Sequence, residues 1–149
     1  MNKAFTIIEL IVVLGIICLI LGLTTAHFFN FKTASALKIE ALNILSVLNQ
    51  ARSLAITNQE NYKVVFDLIN NKFVIKDNLD VNVEIEKNLN NGISIDRTTF
   101  SMDTVIFNAQ GGLSGARGKI FIKNSANKFY TINIENTTGR IKIYNFEQT

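Results

Sequence analysis

The feature that most constrains this chain is a long apolar run at residues 5–26, FTIIELIVVLGIICLILGLTTA, which carries one charged side chain, Glu9. As an α-helix it would be roughly 33 Å long, enough to cross the hydrocarbon core of a bilayer. Leu, Ile and Val occupy every side of such a helix, so none of its faces suits water. The sequence therefore predicts a transmembrane helix at 5–26, surrounded by lipid or by other apolar helices.

Glu9 is the one residue that does not fit a plain membrane span, because a carboxylate in hydrocarbon costs on the order of a few kcal/mol. One interpretation is that Glu9 lies at the membrane edge and has no role. The other is that it takes a positively charged partner. A cut before Phe5 would create an α-amine four residues N-terminal to Glu9, on the same helical face. The amine of a neighbouring copy could serve equally well.

Residues 3–10, KAFTIIEL, together with the apolar run, resemble the leader and cleavage site of type IV prepilins. The resemblance implies a leader at 1–4, cleavage between Ala4 and Phe5 by a prepilin peptidase, and N-methylation of Phe5. It also implies that Glu9 acts in assembly by pairing with the N-terminal amine of a neighbouring subunit. The implied location is the bacterial inner membrane, single-pass, with a cytoplasmic N-terminus and a periplasmic or otherwise extracytoplasmic globular domain. The family usually has Gly before the cut, where this chain has Ala4.

Other membrane-directed segments fit the run less well. A secretory signal peptide has a shorter apolar core and a small-x-small cut site, which residues 24–26 match only faintly. A lipoprotein signal would need small residues before Cys18, where Ile16 and Ile17 stand. A plain membrane anchor remains an alternative.

Beyond the apolar run, residues 27–59 are predicted to continue as an amphipathic helix. Small and apolar residues recur at steps of three and four, while charged side chains, Glu40 among them, lie mostly off that stripe. No proline interrupts the segment, and amide residues from Asn58 onward end it. The stripe consists of Ala34, Leu37, Ala41, Ile44, Leu45, Leu48, Ala51 and Ala55.

The period then changes to two, which predicts short β-strands over residues 60–149. Asn- and Gly-rich turns separate the strands, and the turn at 136–139 joins the last two as a hairpin. We predict an α+β, type IV pilin-like fold, in which the second half of a long N-terminal helix packs on an antiparallel meander. The predicted strands are 62–68, 73–75, 81–85, 93–95, 104–107, 120–122, 130–134 and 141–143.

The C-terminal part carries a second resemblance. The segments FNAQG at 107–111, GKI at 118–120, YTI at 130–132 and GRIKI at 139–143 are similar to the end of two protein groups. These groups are the H-type minor pseudopilins of type II secretion and the FimT-like minor pilins. Competence pseudopilins of the ComG D type share a similar arrangement. Residues 62–102 are placed by periodicity alone.

No set of side chains points to catalysis, a cofactor or a metal. The single His27 and the single Cys18 fall in or beside the predicted span, so they build no nucleophile–base pair, and His27 has no second metal ligand nearby. The glycines of 110–118 lack the Gly-Lys-Ser/Thr sequence that opens a helix in a phosphate loop. We predict a mobile loop there, and an enzyme is disfavoured.

Charge is uneven along the chain, with a net of about −3 over 60–103 and about +5 over 117–142. The alternation of the C-terminal strands places four cations on one exposed face. One interpretation is a solvated face that protects strand edges; the other is a phosphate-binding stripe for DNA. Some FimT-like minor pilins receive DNA through a Gly-Arg-x-Arg hairpin, which residues 139–142 resemble with Lys in place of the second Arg. The four candidate residues are Lys119, Lys123, Arg140 and Lys142.

Two functions follow from these patterns. The first is a minor pseudopilin, a structural subunit of a type II secretion pseudopilus or type IV pilus-like filament, with the membrane, prepilin peptidase and other subunits as partners. The second is a DNA-binding minor pilin or competence pseudopilin for DNA uptake. We prefer the first, because Glu9 and the helical stripe account for assembly with no further assumption.

Overall fold

The computed structural model describes residues 6–81 and 86–145, with the backbone alone described over 23–34. The chain divides into two compact units, and the boundary falls between Ala34 and Ser35. Helix α1 spans Ile7–Asn58. In the part of the chain that the structure describes, no helix is both long and apolar enough to cross a membrane. Of the predicted span, Phe5 and the side chains of 23–26 lie outside the described residues.

The second unit begins with the C-terminal half of α1, which buries one stripe of small and apolar side chains. Most of the predicted stripe is confirmed; Ala34 lies outside the described side chains, and Leu45 is only half-buried, with Val47 buried beside it. The prediction for Glu40 is wrong, because its side chain is 3% exposed and accepts hydrogen bonds from Asn90 and Asn43. The buried stripe consists of Leu37, Ala41, Ile44, Val47, Leu48, Ala51 and Ala55.

The C-terminus of α1 is closed by its own cap. Gln59 adopts a left-handed backbone conformation with φ of 55°, and the Glu60 amide donates to the Ala55 carbonyl oxygen at 3.2 Å. A left-handed residue directly after the last turn turns the chain away and satisfies a free carbonyl of the helix. The predicted helix end at Asn58 is confirmed.

Among the described residues, eight strands follow α1 and form two four-stranded antiparallel sheets. The order in the first sheet is β3-β2-β1-β5, and in the second it is β4-β6-β7-β8. The strands are β1 Tyr62–Asp67, β2 Lys72–Lys76, β3 Lys87–Asn88, β4 Ile93–Thr98, β5 Thr104–Phe107, β6 Gly118–Asn124, β7 Phe129–Ile134 and β8 Ile141–Tyr144.

The sheets differ from the predicted meander in their order, although most predicted strands are present. The chain leaves the second sheet after β4, adds β5 to the open edge of β1, and then returns to β6. Alternation with a period of two fixes which face of a strand is buried but not which strand lies beside it. Val81 is outside any strand, and the rest of the predicted strand at 81–85 lies outside the described residues.

One hydrophobic core joins the α1 stripe to the inner faces of both sheets, which confirms the α+β fold of the second unit. Alternate residues of each strand face this core, and burying each large apolar side chain contributes about 1.5–3 kcal/mol. The fully or nearly fully buried strand residues include Val64, Phe66, Phe73, Ile75, Val105 and Phe107 from the first sheet and Ile95, Ile120, Ile122, Ile132 and Ile134 from the second.

Asn71, in the turn between β1 and β2, connects the two sheets. Its carbonyl oxygen accepts the Leu89 amide at 3.0 Å, and its side-chain Oδ1 accepts the Ile95 amide at 3.1 Å. Asn71 has a φ of 50°, a left-handed conformation that Asn tolerates better than most residues. The turn thereby pairs one amide directly after β3 of the first sheet and one amide in β4 of the second sheet.

Candidate functional site

The N-terminus of α1 is closed by a hydrogen-bonded pair, Thr6 and Glu9. The Thr6 backbone amide and Thr6 Oγ1 each donate to Glu9 Oε2 at 2.9 Å, and the Glu9 amide donates to Thr6 Oγ1 at 3.3 Å. This is a capping box, which pairs amides that the first helical turn leaves free. Glu9, the predicted assembly residue, therefore also caps its own helix.

The capping role was not predicted from the sequence, which suggested only that Glu9 lies at the membrane edge or pairs with an amine. The signal was present, because Thr followed three residues later by Glu, directly before an apolar run, is the pattern of a capping box. The predicted processing residues Ala4 and Phe5 lie outside the described residues.

Residues 7–22 expose apolar side chains on all sides of α1. Every side chain described between Thr6 and Gly22 is exposed, and Ile7 is 80% exposed. A contiguous apolar surface of this kind is unfavourable in water and marks a site that another apolar surface covers. Residues 7–22 therefore present a surface that is suited to burial against another apolar surface.

The four predicted cations fall at different places on the outer face of the second sheet. Lys119 and Lys142 lie in one row across the strands, because both pair in register with Asn133 on β7. Lys123 lies further along β6, opposite Phe129. Arg140 precedes β8 in an exposed turn, where its amide donates to Thr138 Oγ1 at 3.2 Å.

Two of these cations have carboxylate partners within the chain. Lys123 Nζ lies 2.5 Å from Asp96 Oδ1, and Lys142 Nζ lies 3.1 Å from Glu135 Oε1. Partly exposed pairs of this kind are worth about 1 kcal/mol or less, but each cancels the local charge. The structure thus places Lys119 and Lys142 in one row, rather than all four cations.

A cleft of about 610 Å³ lies on the same face and gathers three cations, Arg97, Arg117 and Lys119, beside Tyr144. None of the described residues that line it is acidic, but Arg97 Nη1 lies 3.0 Å from Oδ2 of the neighbouring Asp96. The Arg97 guanidinium lies 4.1 Å from the centre of the Phe121 ring, a cation–π contact that fixes its plane. Sequence reasoning missed Arg97, because a shift of register between Ile95 and Arg97 breaks the alternation of β4.

Part of the loop predicted to be mobile over 110–118 is hydrogen-bonded and packed in the structure. The Asn108 amide donates to the Gly112 carbonyl at 2.9 Å, Asn108 Oδ1 accepts the Gly112 amide at 3.0 Å, and the Leu113 amide donates to the Asn136 carbonyl at 2.9 Å. Gly111 and Gly112 are buried. A Cβ on Gly112 would lie 2.9 Å from the Thr137 carbonyl oxygen. These glycines allow the loop to pack against the β7–β8 hairpin.

Within the described ranges, no group of three or more His, Cys, Asp or Glu side chains could hold a metal ion. What the chain offers chemically is therefore an apolar helix with a carboxylate in its first turn, and a β-domain with a basic outer face.

A helix whose C-terminal half packs on antiparallel sheets in this arrangement is the type IV pilin-like fold, and solved structures share it. The chain is similar to the minor pseudopilin EpsH from the type 2 secretion system of Vibrio cholerae, with 11% identity, a TM-score of 0.60, and coverage of 73% of this chain and 96% of EpsH. It is also similar to the type IV minor pilin FimU of Pseudomonas aeruginosa, with 15% identity, a TM-score of 0.62, and coverage of 76% of this chain and 92% of FimU. No protein-family profile and no curated protein sequence matches the chain. At these identities the likeness establishes the fold, which is that of minor pilins and minor pseudopilins.

Proposed function

We propose that this protein is a structural subunit, a minor pseudopilin or minor pilin, of a type II secretion pseudopilus or a related type IV pilus-like filament. The observation that carries the proposal is the first unit, in which a helix exposes apolar side chains on all sides and holds one carboxylate in its first turn. The fold shared with EpsH and FimU supports the same function. Both are filament subunits by name, which favours a non-enzymatic role.

In this proposal the apolar run is held in the bacterial inner membrane before assembly, with the β-domain outside the cytoplasm. Prepilin peptidase cuts between Ala4 and Phe5, and Phe5 is then N-methylated. A cation near the N-terminus of a helix is unfavourable unless an acid pairs with it, because the helix dipole is positive there. Glu9 of a neighbouring subunit supplies that acid, and the apolar helices of the filament cover residues 7–22.

The capping box allows a sharp test of Glu9, because its two roles respond differently to substitution. Gln at position 9 still accepts the Thr6 amide but carries no charge. Glu9→Gln and Glu9→Ala are both expected to be processed normally and to be missing from sheared filaments. Thr6→Val removes the hydroxyl from the cap but keeps the charge, and it is expected to assemble.

The readout is the mass of the N-terminal peptide together with the amount of subunit in the filament fraction. Incorporation of Glu9→Gln at the wild-type level would show that Glu9 serves only as a helix cap. A mature protein that still carries residues 1–4 in cells with an active prepilin peptidase would remove the processing step.

A second candidate function is DNA capture, and the basic cleft is the specific observation that favours it. The cleft gathers Arg97, Arg117 and Lys119, and Lys142 lies in the same row as Lys119, so the face can contact several phosphates. DNA would compete with Asp96 for Arg97 and with Glu135 for Lys142. The full chain would be tested for retention of a DNA fragment over a salt series. Lys119→Ala combined with Lys142→Ala should weaken retention and lower its salt dependence, and Arg140→Ala tests the hairpin separately.

Lys87→Ala, on the exposed strand β3 outside this face, is the matched charge control for the single variants Lys119→Ala, Lys142→Ala and Arg140→Ala. Absence of retention at low salt, or equal losses in the control and the test variants, would leave the structural function alone.

A further inference from the structure

The outer face of the first sheet carries a groove of about 750 Å³, which we call the β1–β5 groove. Its floor includes Val65 of β1 and Ile106 of β5, which alternate with core-facing residues and so point away from the core. The solvent face of an antiparallel sheet is normally polar. Packing in the core therefore does not explain why two aliphatic side chains lie on this outer face.

The walls of the groove carry further exposed apolar side chains. Met102, in the 3₁₀ turn Ser101–Asp103, lines one wall and is 90% exposed. Leu79 and Val81, the chain neighbours of the lining residue Asp80, are 81% and 57% exposed. Large apolar side chains that cluster around a groove, rather than being scattered singly, mark an interaction site.

Met102 is also in an unusual backbone state, with φ of 52° and ψ of 32°. A left-handed conformation is uncommon for a residue other than Gly, Asn or Asp, and such strain concentrates at binding sites. The strained turn holds the Met102 side chain out into solvent at the rim. A chain selected only for stability would place Gly or Asn here.

One end of the groove carries an excess of positive charge. Lys63 of β1 lies directly opposite Lys76 of β2, an arrangement of like charges that is unfavourable. Among the described residues that line the groove, Asp80 is the one acid, and its Oδ1 lies 2.7 Å from Lys63 Nζ. The hydrogen bond from Lys63, with the charges of Lys63 and Lys76, holds the pKa of Asp80 below its usual value. Asp80 is thus one carboxylate beside two ammonium groups, and this end of the groove can accept a second carboxylate from a ligand.

We propose that the β1–β5 groove binds an extended segment of a partner protein that presents an apolar side chain and, two residues away on the same side, a carboxylate. Lys63 and Val65 are two residues apart on one strand, so their side chains are about 6.6 Å apart along it. An extended ligand has the same repeat, so its apolar side chain lies over Val65 while its carboxylate reaches Lys63 and Lys76. Ile106 pairs in register with Lys63, so it packs against the ligand between these two side chains. The ligand binds as an extended peptide, and its alternate side chains contact the groove.

The test measures binding of short fluorescent peptides to the full-length chain in a mild detergent. The probe contains Leu-Thr-Glu between Gly and Ser residues, and two matched peptides replace either its Leu with Ser or its Glu with Gln. We expect saturable binding of the first peptide, with affinity reduced roughly tenfold by loss of the Leu and roughly threefold by loss of the charge. Equal binding of all three peptides, or no binding up to millimolar concentration, would overturn the proposal.

Protein variants assign the binding to this groove. Met102→Asn suits the left-handed backbone but removes the apolar rim, so it is expected to keep the fold and lose roughly tenfold in affinity. Met102→Leu should bind like the wild type. Ile69→Asn, which removes an apolar side chain that is 91% exposed in another turn, is the control. An equal loss in the Ile69 control would assign binding to general surface hydrophobicity and refute the groove.

The charged end has its own pair of variants. Lys76→Gln should weaken the Glu-containing peptide roughly threefold and leave the Gln-containing peptide unchanged. Lys128→Gln, in the exposed turn between β6 and β7, alters net charge equally but lies outside the groove. If both variants had the same effect, the Glu side chain of the peptide would not bind at Lys63 and Lys76. The outcome of this binding test does not bear on the proposed role of Glu9, because none of these variants changes Glu9.

Discussion

Arg52 on α1 donates a 2.9 Å hydrogen bond through its Nε to the carbonyl oxygen of Gly111, in the loop between β5 and β6. The contact joins residues 59 positions apart in the sequence. It fastens the loop to the end of the helix at the point where the β7–β8 hairpin also packs. The three segments therefore depend on one another, and the predictions below begin with this junction.

Replacing Arg52 with Met should keep most of the apolar contact of the side chain and remove the hydrogen bond. A hydrogen bond from a charged donor contributes about 1.5–3 kcal/mol, so we expect a loss of roughly 2 kcal/mol in the free energy of unfolding. Denaturant unfolding followed by circular dichroism measures this loss. Lys at position 52 is the control, since it restores the charge without the fixed guanidinium geometry, and it should recover only part of the loss.

Gly139→Ala is expected to be more damaging than an ordinary glycine substitution. Gly139 has a φ of 60°, and a Cβ there would collide with the carbonyl oxygen of Gly111. We expect a loss of about 3 kcal/mol or more, from left-handed strain added to the backbone clash. Gly92→Ala provides the matched control, because Gly92 has a φ of 85° but nothing lies within 4 Å of an added Cβ. Similar losses at the two glycines would mean that backbone conformation alone, and not the packed loop, determines the cost.

Removing the buried carboxylate of Glu40 should destabilise the connection between β3 and β4. Glu40 Oε1 accepts the Asn90 amide at 3.3 Å and also the Asn90 side chain, and Oε2 accepts from Asn43. Glu40→Ala leaves these donors without their acceptor and is expected to cost about 1–3 kcal/mol. Glu40→Gln retains one acceptor oxygen and should cost less. Urea unfolding distinguishes the two, and a harmless Ala variant would show that water replaces the carboxylate.

Asp67 should stabilise the fold at neutral pH and lose this effect at acidic pH. Hydrogen bonds from the Asn70 side chain and backbone, followed by the Ile69 amide, hold the pKa of the Asp67 carboxyl below its usual value. Because the folded pKa is lower than that of the unfolded chain, about 3.9, this stabilisation is present at neutral pH and is lost as pH falls through the folded pKa. The stability difference between wild type and Asp67→Ala should therefore narrow below about pH 4. A difference that stays constant from pH 7 to pH 2 would contradict this account.

Much of the second unit could be predicted from residue spacing, because its helix and strands are amphipathic. The period of Leu37, Ala41 and Leu48 identified the helical face, and the alternation of Ile120 with Ile122 identified a strand. The burial of Glu40 was not predictable, because its partner Asn90 lies 50 residues away. The exchange of β4 and β5 between the sheets was hidden for the same reason, since pairing is a long-range property.

The candidate sites were predicted unevenly. The carboxylate at Glu9 was found from its position in an apolar run, and Lys119 and Lys142 were found from alternation alone. Arg97 was missed because the irregular step in β4 alters which residues face outward. The β1–β5 groove could not be seen either, because its walls come from turns that only the folded chain brings to the outer face of the first sheet.

The bonds made by Asn71 restrict where this protein can be modified or can diverge. Leu89 and Ile95, whose amides Asn71 accepts, are 8% and 4% exposed, so water has little access to replace it. Lengthening the β1–β2 turn by even one residue would move both acceptors away from these amides, of which the Ile95 amide belongs to the other sheet. The turn looks like an ordinary surface hairpin, yet an epitope tag inserted there would break the hydrogen bond that the Ile95 amide of β4 donates to Asn71.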